Sequence, residues 1–367
     1  MSLEYATGLD VGARKREVGG INEDSVAVNV LEDGHLDAER TAAVFALADG
    51  AGGEEAGDVA SYVATVEVTR RLTELLWESR TLDELLDDGT GGGDRLLDDA
   101  AVAPPLADRE PPWVAERIET AIRSTHTRLL QVIGEHGIGS AYTTIVAGVK
   151  IGGRLHYGWV GDSRAYVVNC HPERHPARRT SRLTRDHSVV QRLRERGEID
   201  EVEAHVHRQG NRITRALGGT ASDDPAGSTI RIETGHVGLF GDDVVLFTSD
   251  GLIDAYADAP ALHDRYRRAD AADDLEPAEI EAEILDKSVT DDELRDVILE
   301  TDTLRAAADR LLALANDRGG KDNLSVILFR DAGLDRSPAE ELPDRSYDAD
   351  GEPLGNRETT IRNDDKQ

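Results

Sequence analysis

Five carboxylate residues lie where apolar, strand-like segments meet turns that contain glycine. They are Asp24, Asp49, Asp162, Asp250 and Asp322. The most informative is Asp49, because it follows the apolar run 42–47 and begins the segment Asp49-Gly50-Ala51-Gly52-Gly53. An apolar run of this length that ends in glycine predicts a buried strand and a tight turn. A carboxylate there is unfavourable unless a positive partner meets it, and residues 41–55 contain no Lys or Arg.

Carboxylates arranged in this way are typical ligands for hard divalent cations. Oxygen ligands without a cluster of Cys or His suit magnesium or manganese. The glycines after Asp49 also let the backbone approach closely, so that a peptide carbonyl can serve as a further oxygen ligand. Asp-Gly on its own is equally an ordinary turn. The coincidence of five such positions along the chain favours one shared metal site.

The segments that must position these residues alternate between helical and strand-like patterns. Apolar residues recur at helical spacing in 54–80 and in 113–135, and strands are predicted at 140–149 and 155–168. Between the two helices, residues 81–112 are rich in Asp, Gly and Pro and predict a flexible insertion. Many strands and two groups of helices favour a layered α+β domain.

The second half of the chain predicts three further regions. Residues 186–212 are predicted to form a small helical region, with His205 and His207 on a solvated surface. An acidic helical stretch indicates a second insertion at about 257–300. Residues 332–367 are rich in Pro, Asp and Arg and predict a disordered acidic tail.

The composition is strongly acidic, with 73 Asp and Glu residues against 42 Lys and Arg and a net charge of −31. With this excess of acidic residues we expect no basic surface patch, so nucleic acid is not expected as a partner. Only five of the basic residues are Lys, and an acid-rich, Lys-poor surface resembles that of haloarchaeal cytoplasmic proteins; an ordinary acidic protein is the alternative. The apolar runs are shorter than the roughly 18 residues of a membrane helix. The single Cys170 excludes an intrachain disulfide framework, so we expect a cytoplasmic protein without a membrane partner.

Eight short motifs of the chain, in their order and spacing, resemble those of the metal-dependent Ser/Thr protein phosphatases of the 2C class, or PPM family, in the bacterial and archaeal form. The motifs are Asn22-Glu23-Asp24-Ser25, Asp49-Gly50-Ala51-Gly52-Gly53, Tyr142-Thr143-Thr144, Gly161-Asp162-Ser163-Arg164, Leu183-Thr184-Arg185-Asp186-His187-Ser188, Ile213-Thr214-Arg215-Ala216-Leu217-Gly218, Ser249-Asp250-Gly251-Leu252 and Gly320-Lys321-Asp322-Asn323. The resemblance extends over residues 5–331 apart from the two insertions. It implies a catalytic domain at 1–331, in which residues 186–212 form a flap over the site.

The resemblance implies a specific fold and a specific reaction. The fold is a four-layer α/β/β/α sandwich, in which two antiparallel β-sheets are flanked by helices and the metals lie at one end of the sheets. The reaction is hydrolysis of phosphoserine and phosphothreonine on proteins, by a hydroxide that bridges two Mn²⁺ or Mg²⁺ ions and attacks phosphorus in line. Phosphoproteins made by Ser/Thr kinases are the implied substrates.

The resemblance also implies roles for individual residues. The ligands of the two ions would be Asp24, Asp49, Asp250 and Asp322 and the carbonyl of Gly50. Asp49 would bridge the ions, and Glu23 would orient a water bound to them. Asp162, together with Asp250, matches the position of a third, weaker metal in bacterial relatives.

Two departures from the family pattern bear on catalysis. The family usually has an Arg close before the Glu-Asp pair that binds the substrate phosphate in a bidentate manner, but here the segment between Asp10 and Asp24 is longer than usual. Arg16 is the predicted substrate-binding residue, and Arg14 is the weaker candidate. Ala51 stands where animal relatives have a His proposed as general acid, so a metal-bound water is expected to protonate the leaving group.

Two alternative functions remain open from the sequence. A regulatory domain on the same fold, which binds phosphoproteins with little or no turnover, would be expected to have lost a metal carboxylate, and none is lost here. A hydrolase of small phosphate esters would be expected to have a flap that closes over the site.

Overall fold

The strands of this chain form two antiparallel sheets. The computed structural model describes residues 3–35, 38–51, 56–78, 111–173, 179–220, 224–253, 259–271, 277–339 and 345–348. The predicted insertion at 81–112 lies outside the described residues except for its last two positions. In the part of the chain that is described, no helix is long and apolar enough to cross a membrane.

Most of the strands carry buried apolar runs, as the sequence patterns predict. In chain order they are β1 (Leu3–Asp10), β2 (Asp24–His35), β3 (Ala38–Ala51), β4 (Ser140–Thr143), β5 (Ile145–Ile151), β6 (Arg154–Val160), β7 (Arg164–Asn169), β8 (Thr180–Arg182), β9 (Leu217–Thr220), β10 (Glu233–Gly238), β11 (Asp243–Thr248), β12 (Leu324–Asp331) and β13 (Ser346–Asp348). The smaller sheet has the order β1-β12-β11-β7-β8. The larger sheet has the order β13-β10-β6-β5-β3-β4-β9, and β2 pairs with β3.

The helices lie outside the sheets or in the insertions. They are α1 (Ala13–Glu17), α2 (Gly57–Glu78), α3 (Pro111–Glu135), α4 (Val189–Glu195), α5 (Glu201–Val206), α6 (Ala259–Ala271), α7 (Pro277–Lys287), α8 (Asp291–Glu300) and α9 (Leu304–Asp317). The predicted helices at 54–80 and 113–135 are thus present as α2 and α3 with slightly different ends.

Three hydrophobic layers hold the sheets and helices together. Between the two sheets, the rings of Phe45 and Phe329 stack with their centroids 3.9 Å apart, and Phe247 contacts both edge to face. Helices α2 and α3 cover the outer face of the larger sheet, and α8 and α9 cover the outer face of the smaller sheet. The predicted four-layer α/β/β/α sandwich is therefore confirmed.

The flap and the second insertion pack against each other. Helices α4 and α5 lie in the predicted flap, whereas α6 and α7 lie in the predicted insertion. Val206 of α5, Tyr266 of α6 and Ile284 of α7 contribute to a small hydrophobic core of their own. The hydroxyl of Tyr266 also donates a hydrogen bond of 2.6 Å to Asp200, the residue that caps α5. The insertion is therefore a support for the flap.

Part of the predicted disordered tail is ordered. The short strand β13 pairs with β10, and Arg345 beside it forms an ion pair with Asp243. The hydroxyl of Ser337 donates a hydrogen bond of 2.7 Å to Asp242. The prediction of disorder is wrong for 332–339 and 345–348, because these residues find partners along β10 and the turn before β11. The rest of the tail lies outside the described residues.

Candidate metal centre and active site

The two longest strands bring two carboxylates face to face. β2 and β3 pair in a register that places Asp24 directly opposite Asp49, although like charges at opposed positions of a sheet are unfavourable. The packing of β3 fixes this register, because a slip by one residue would exchange its two buried faces, with Phe45 between the sheets and Ala46 under the helices. The Thr143 hydroxyl donates to the Asp49 carbonyl and the Asp49 N–H donates to the Thr144 hydroxyl, each at 2.9 Å. Hydrophobic burial thus holds the two carboxylates together.

The smaller sheet adds two carboxylates to the same cluster. Asp250 begins a short 3₁₀ turn directly after β11, and Asp322 lies just before β12, which pairs with β11. The turn and the loop pack closely, since a Cβ added to Gly251 would lie 2.0 Å from the carbonyl oxygen of Asn323. Only glycine fits there, which explains the Asp-Gly sequence.

Burial and mutual repulsion raise the pKa values of Asp24 and Asp49. Burial foremost, with the charges of Asp250 and Asp322, raises the pKa of Asp24 to about 7, and the nearby hydroxyl of Ser325 offsets only part of this increase. Burial, followed by the charges of Asp24 and Asp250, raises the pKa of Asp49 well above its usual range. Both carboxylate oxygens of Asp24 are buried without a hydrogen-bond partner among the described residues. Divalent cations fit this donor set, since they would supply the positive charge that it lacks.

The backbone around Gly50 is packed against the same pocket. The Gly50 N–H donates a hydrogen bond of 3.1 Å to the carbonyl of Glu23. A Cβ added to Gly57 would lie 2.4 Å from Oε1 of Glu23 and 3.0 Å from the carbonyl oxygen of Gly50. The Gly50 carbonyl and the Glu23 carboxylate are therefore neighbours, as their predicted roles at one metal pair require.

A lysine that the sequence analysis passed over contacts this pocket. The ammonium of Lys15 donates hydrogen bonds to Glu23 at 2.8 Å, to Asp322 at 2.9 Å and to Asn323 at 2.7 Å. Burial opposes the charged form, but the hydrogen bonds from Lys15 to Glu23 and Asp322 raise the pKa of the ammonium. Lys15 therefore places a fixed positive charge beside the acidic cluster.

Arg16, the predicted substrate-binding residue, contacts a different carboxylate. Its guanidinium donates to both oxygens of Asp10 at 2.8 and 2.7 Å, and its side chain is 58% exposed. Successive residues of a helix point about 100° apart, so Arg16 and Lys15 of α1 cannot both face the pocket. Arg14 is exposed as well. The structure therefore favours Lys15 over Arg16 as the cation of this site.

The family model for Protein phosphatase 2C matches residues 11–286, about three quarters of the chain. The chain belongs to the protein phosphatase 2C family. This 2C phosphatase is 27% identical over 290 residues to the serine/threonine phosphatase stp of Listeria monocytogenes, a match that covers 78% of this chain and 83% of the relative. The predicted family is therefore confirmed.

Solved structures of other phosphatases share the fold of this 2C phosphatase. The Mycobacterium tuberculosis serine/threonine phosphatase PstP/Ppp aligns with a TM-score of 0.56 at 24% identity and covers 91% of this chain and 99% of that chain. The catalytic domain of PstP in complex with two manganese ions aligns with a TM-score of 0.54 at 24% identity, and the match covers 89% of this chain and 97% of that chain. At this identity the likeness supports the fold.

Asn323 is a second residue of the 2C phosphatase site that sequence reasoning left without a role. Its side-chain oxygen accepts hydrogen bonds from Lys15 and, at 2.8 Å, from the N–H of Glu23. Its side-chain nitrogen donates to the carbonyls of Val11 at 3.1 Å and Ile21 at 3.0 Å. Asn323 thus fixes both ends of the long segment that carries Lys15. Its position directly after Asp322 was the available signal.

Asp162 and Asp250 line one cleft of the 2C phosphatase beside the flap. The same cleft is lined by Arg164, Asp186 and His205. Asp162 and Asp250 must lie in one cleft if they are to hold a third metal together, as the sequence analysis predicts. His205 is half-buried and therefore differs from its predicted solvated position; burial lowers its pKa to about 4.

Proposed function

We propose that the chain is a metal-dependent phosphoprotein phosphatase that hydrolyses phosphoserine and phosphothreonine on proteins phosphorylated by Ser/Thr kinases. One observation carries the proposal: Asp24 and Asp49 face each other in a buried pocket with Asp250 and Asp322, and among the described residues neither of the first two forms an ion pair with Lys or Arg. The names of the relatives, which are serine/threonine phosphatases, support the substrate class.

Two Mn²⁺ or Mg²⁺ ions would occupy this pocket, and the manganese pair in the PstP structure supports the choice of metal. The ligands would be Asp24, Asp49, Asp250, Asp322 and the carbonyl of Gly50. When bound, the ions would lower the pKa of a water and neutralise charge on the phosphoryl oxygens. Asp49 would be shared between the ions, since Asp24 and Asp250 both act on its charge. Asp162 and Asp250 would hold a third, weaker ion.

The other polar groups of the pocket position the reactants. Glu23 is held by Lys15, so its carboxylate can accept a hydrogen bond from water in a fixed direction. The ammonium of Lys15 would attract the substrate phosphate, the role predicted for Arg16, but as a point charge without the bidentate geometry of a guanidinium. Ala51 carries no acidic proton, and we expect water to supply the proton for the leaving seryl or threonyl oxygen.

The proposal extends to the domain limits and the environment. The catalytic domain would span 1–331, with the flap at 186–212 and insertions at 81–112 and 257–300. The net charge of −31 supports a cytoplasmic protein adapted to high salt, as in haloarchaea. Screening of surface charges by salt would then be a condition for full stability.

Turnover of a phosphothreonine peptide with Mn²⁺, measured at low and at high salt, tests this function. Asp49→Asn is expected to lower kcat by at least about 10³-fold, because several kcal/mol of transition-state stabilisation depend on the metal pair. Asp309→Asn, at a position 63% exposed on α9, is the matched control and should leave kcat unchanged. Absence of Mn²⁺-dependent turnover in both salts would favour the regulatory binding domain. Turnover of a small aryl phosphate without turnover of the peptide would favour the small-ester hydrolase.

A further inference from the structure

A second group of potential metal ligands lies where the flap meets the inserted helices. Glu203, His207 and His263 each offer one ligand atom, and these atoms all lie within 4.8 Å of one another. Glu203 lies on α5 and His207 follows four residues later, a spacing that puts both on one side. His263 comes from α6. His207 is half-buried there and differs from its predicted solvated position.

We propose that Glu203, His207 and His263 bind a divalent transition metal such as Zn²⁺ and thereby link the flap to the insertion. Two imidazoles and one carboxylate suit zinc, cobalt or nickel, whereas the all-oxygen pocket suits magnesium or manganese. Three protein ligands would leave one coordination position for water. This site is independent of the phosphatase chemistry.

The distance between the ligand atoms of Glu203 and His263 is close to that in a tetrahedral complex. Oε1 of Glu203 and Nε2 of His263 are 3.0 Å apart, and ligand atoms around zinc are roughly 3.3 Å apart when the metal–ligand bonds are about 2.0–2.1 Å. The rings of His207 and His263 meet edge to face with centroids 5.0 Å apart. A rotation of the His207 side chain is therefore the main adjustment that binding requires.

The rotation has an identifiable cost at His207. The N–H of Gln209 donates a hydrogen bond of 3.1 Å to Nδ1 of His207, so the neutral ring carries its proton on Nε2. A cation at Nε2 would shift this proton to Nδ1 and replace the hydrogen bond from Gln209. Burial, with the charge of His263, lowers the pKa of His207, so the ring is neutral and able to bind a cation at neutral pH.

The surroundings of Glu203 decide between a metal site and a closed ion-pair cluster. Arg267 donates to Oε2 of Glu203 at 3.3 Å, which leaves Oε1 toward the histidines. A ligand carboxylate held in this way keeps its orientation. Arg267 and His263 also neutralise part of the charge of Glu203, which is the basis of the ion-pair alternative. Nδ1 of His263 is buried without a hydrogen-bond partner in the described part of the chain. A charged imidazolium would need a partner for a proton on this atom, so the ion-pair alternative is disfavoured.

Co²⁺ is the probe for this site, used on the full chain with Asp49→Asn to weaken the acidic pocket. Tetrahedral Co²⁺ with nitrogen ligands absorbs visible light far more strongly than octahedral Co²⁺ with oxygen ligands, so the spectrum separates the two sites. We expect one equivalent of strongly absorbing Co²⁺, which Zn²⁺ displaces. His207→Gln should weaken its affinity by more than about 100-fold, since even indirect support of a ligand is worth 10–100-fold. His136→Gln, at an exposed position just after α3, should leave the affinity unchanged.

Two results would overturn the proposal. One is the absence of the strong absorption from the Asp49→Asn chain, and the other is its persistence at full strength in both His207→Gln and His263→Gln. Circular dichroism of each variant verifies that the fold is retained, and His207, which is half-buried, is the safer position to change. Because absorbance is the readout, the outcome does not depend on whether the chain hydrolyses phosphopeptides.

Discussion

Two groups of buried carboxylates in this chain are neutralised in opposite ways. Asp186 accepts a hydrogen bond of 2.9 Å from Arg164 and forms a second ion pair with Arg182. Burial opposes its charge, but the two guanidinium groups hold the pKa of Asp186 below its usual value. Asp24 and Asp49 are just as buried, yet they face each other and their pKa values are raised. Asp186 is therefore part of the scaffold, whereas Asp24 and Asp49 are the proposed ligands of an external cation.

Changing Asp186 should produce the largest loss of stability. Asp186→Ala would leave Arg164 and Arg182 without their shared carboxylate, so we expect the free energy of unfolding to fall by about 3–5 kcal/mol. Urea denaturation of the metal-free protein measures the change. Asp49→Asn is the matched variant from the other group, and it should raise the stability of the metal-free protein because it removes repulsion. If both variants destabilise the chain equally, the contrast between the two groups is wrong.

The pH dependence of the stability of the metal-free protein tests the same contrast between Asp186 and the pair Asp24 and Asp49. A carboxyl whose pKa is higher in the folded than in the unfolded chain favours folding below its unfolded pKa and loses that contribution as the pH rises through its folded pKa. Because the pKa of Asp24 is raised from 3.8 to about 7, we expect the free energy of unfolding to fall by about 2–4 kcal/mol between about pH 4 and pH 8.

Mn²⁺ should remove most of this pH dependence, because the bound ions stabilise the ionised carboxylates. Asp49→Asn should flatten the metal-free profile as well, because it removes a second carboxyl whose pKa is raised by burial and by the charges of Asp24 and Asp250. Thermal or urea unfolding at a series of pH values measures both effects. If the free energy of unfolding of the metal-free protein instead rises with pH, the proposal that the acidic pocket binds metal is contradicted.

The smallest expected effect concerns the two adjacent basic residues. Lys15→Ala should raise KM for a phosphothreonine peptide, and the inhibition constant of inorganic phosphate, by about tenfold, which corresponds to about 1.4 kcal/mol. Arg16→Ala should change either constant by less than about twofold, because an exposed ion pair such as that with Asp10 contributes about 0–1 kcal/mol. A larger effect of Arg16→Ala would restore Arg16 as the phosphate-binding residue.

The carboxylates could be found from the sequence because their signal is local. Asp49 ends an apolar run and precedes glycine, and this pattern alone predicts the buried strand and a carboxylate near its end. The same holds for Asp250 after β11. The predicted turn after Asp49 does not begin at Gly50, because Gly50 and Ala51 still belong to β3 and pair with β4. The convergence of the two sheets followed from the family resemblance rather than from any single segment.

The contacts of Lys15 could not be predicted in this way. Its partners Asp322 and Asn323 are 307 and 308 positions away, and they orient the short helix α1. The only hint in the sequence is that the chain has five lysines and that one of them, Lys15, precedes the pair Glu23-Asp24. The packing of α6 and α7 against the flap escaped prediction for the same reason, because it depends on contacts between segments far apart in sequence.

The three-residue strand β13 bears on how copies of this protein coexist at high concentration. An open sheet margin offers unpaired backbone groups to any other chain, and natural proteins blunt such margins with very short terminal strands. In about 1 M salt the Debye length is only about 3 Å, so the charge of −31 no longer keeps molecules apart. By pairing with β10, β13 covers this margin of the larger sheet and adds a steric barrier to self-association that salt does not weaken.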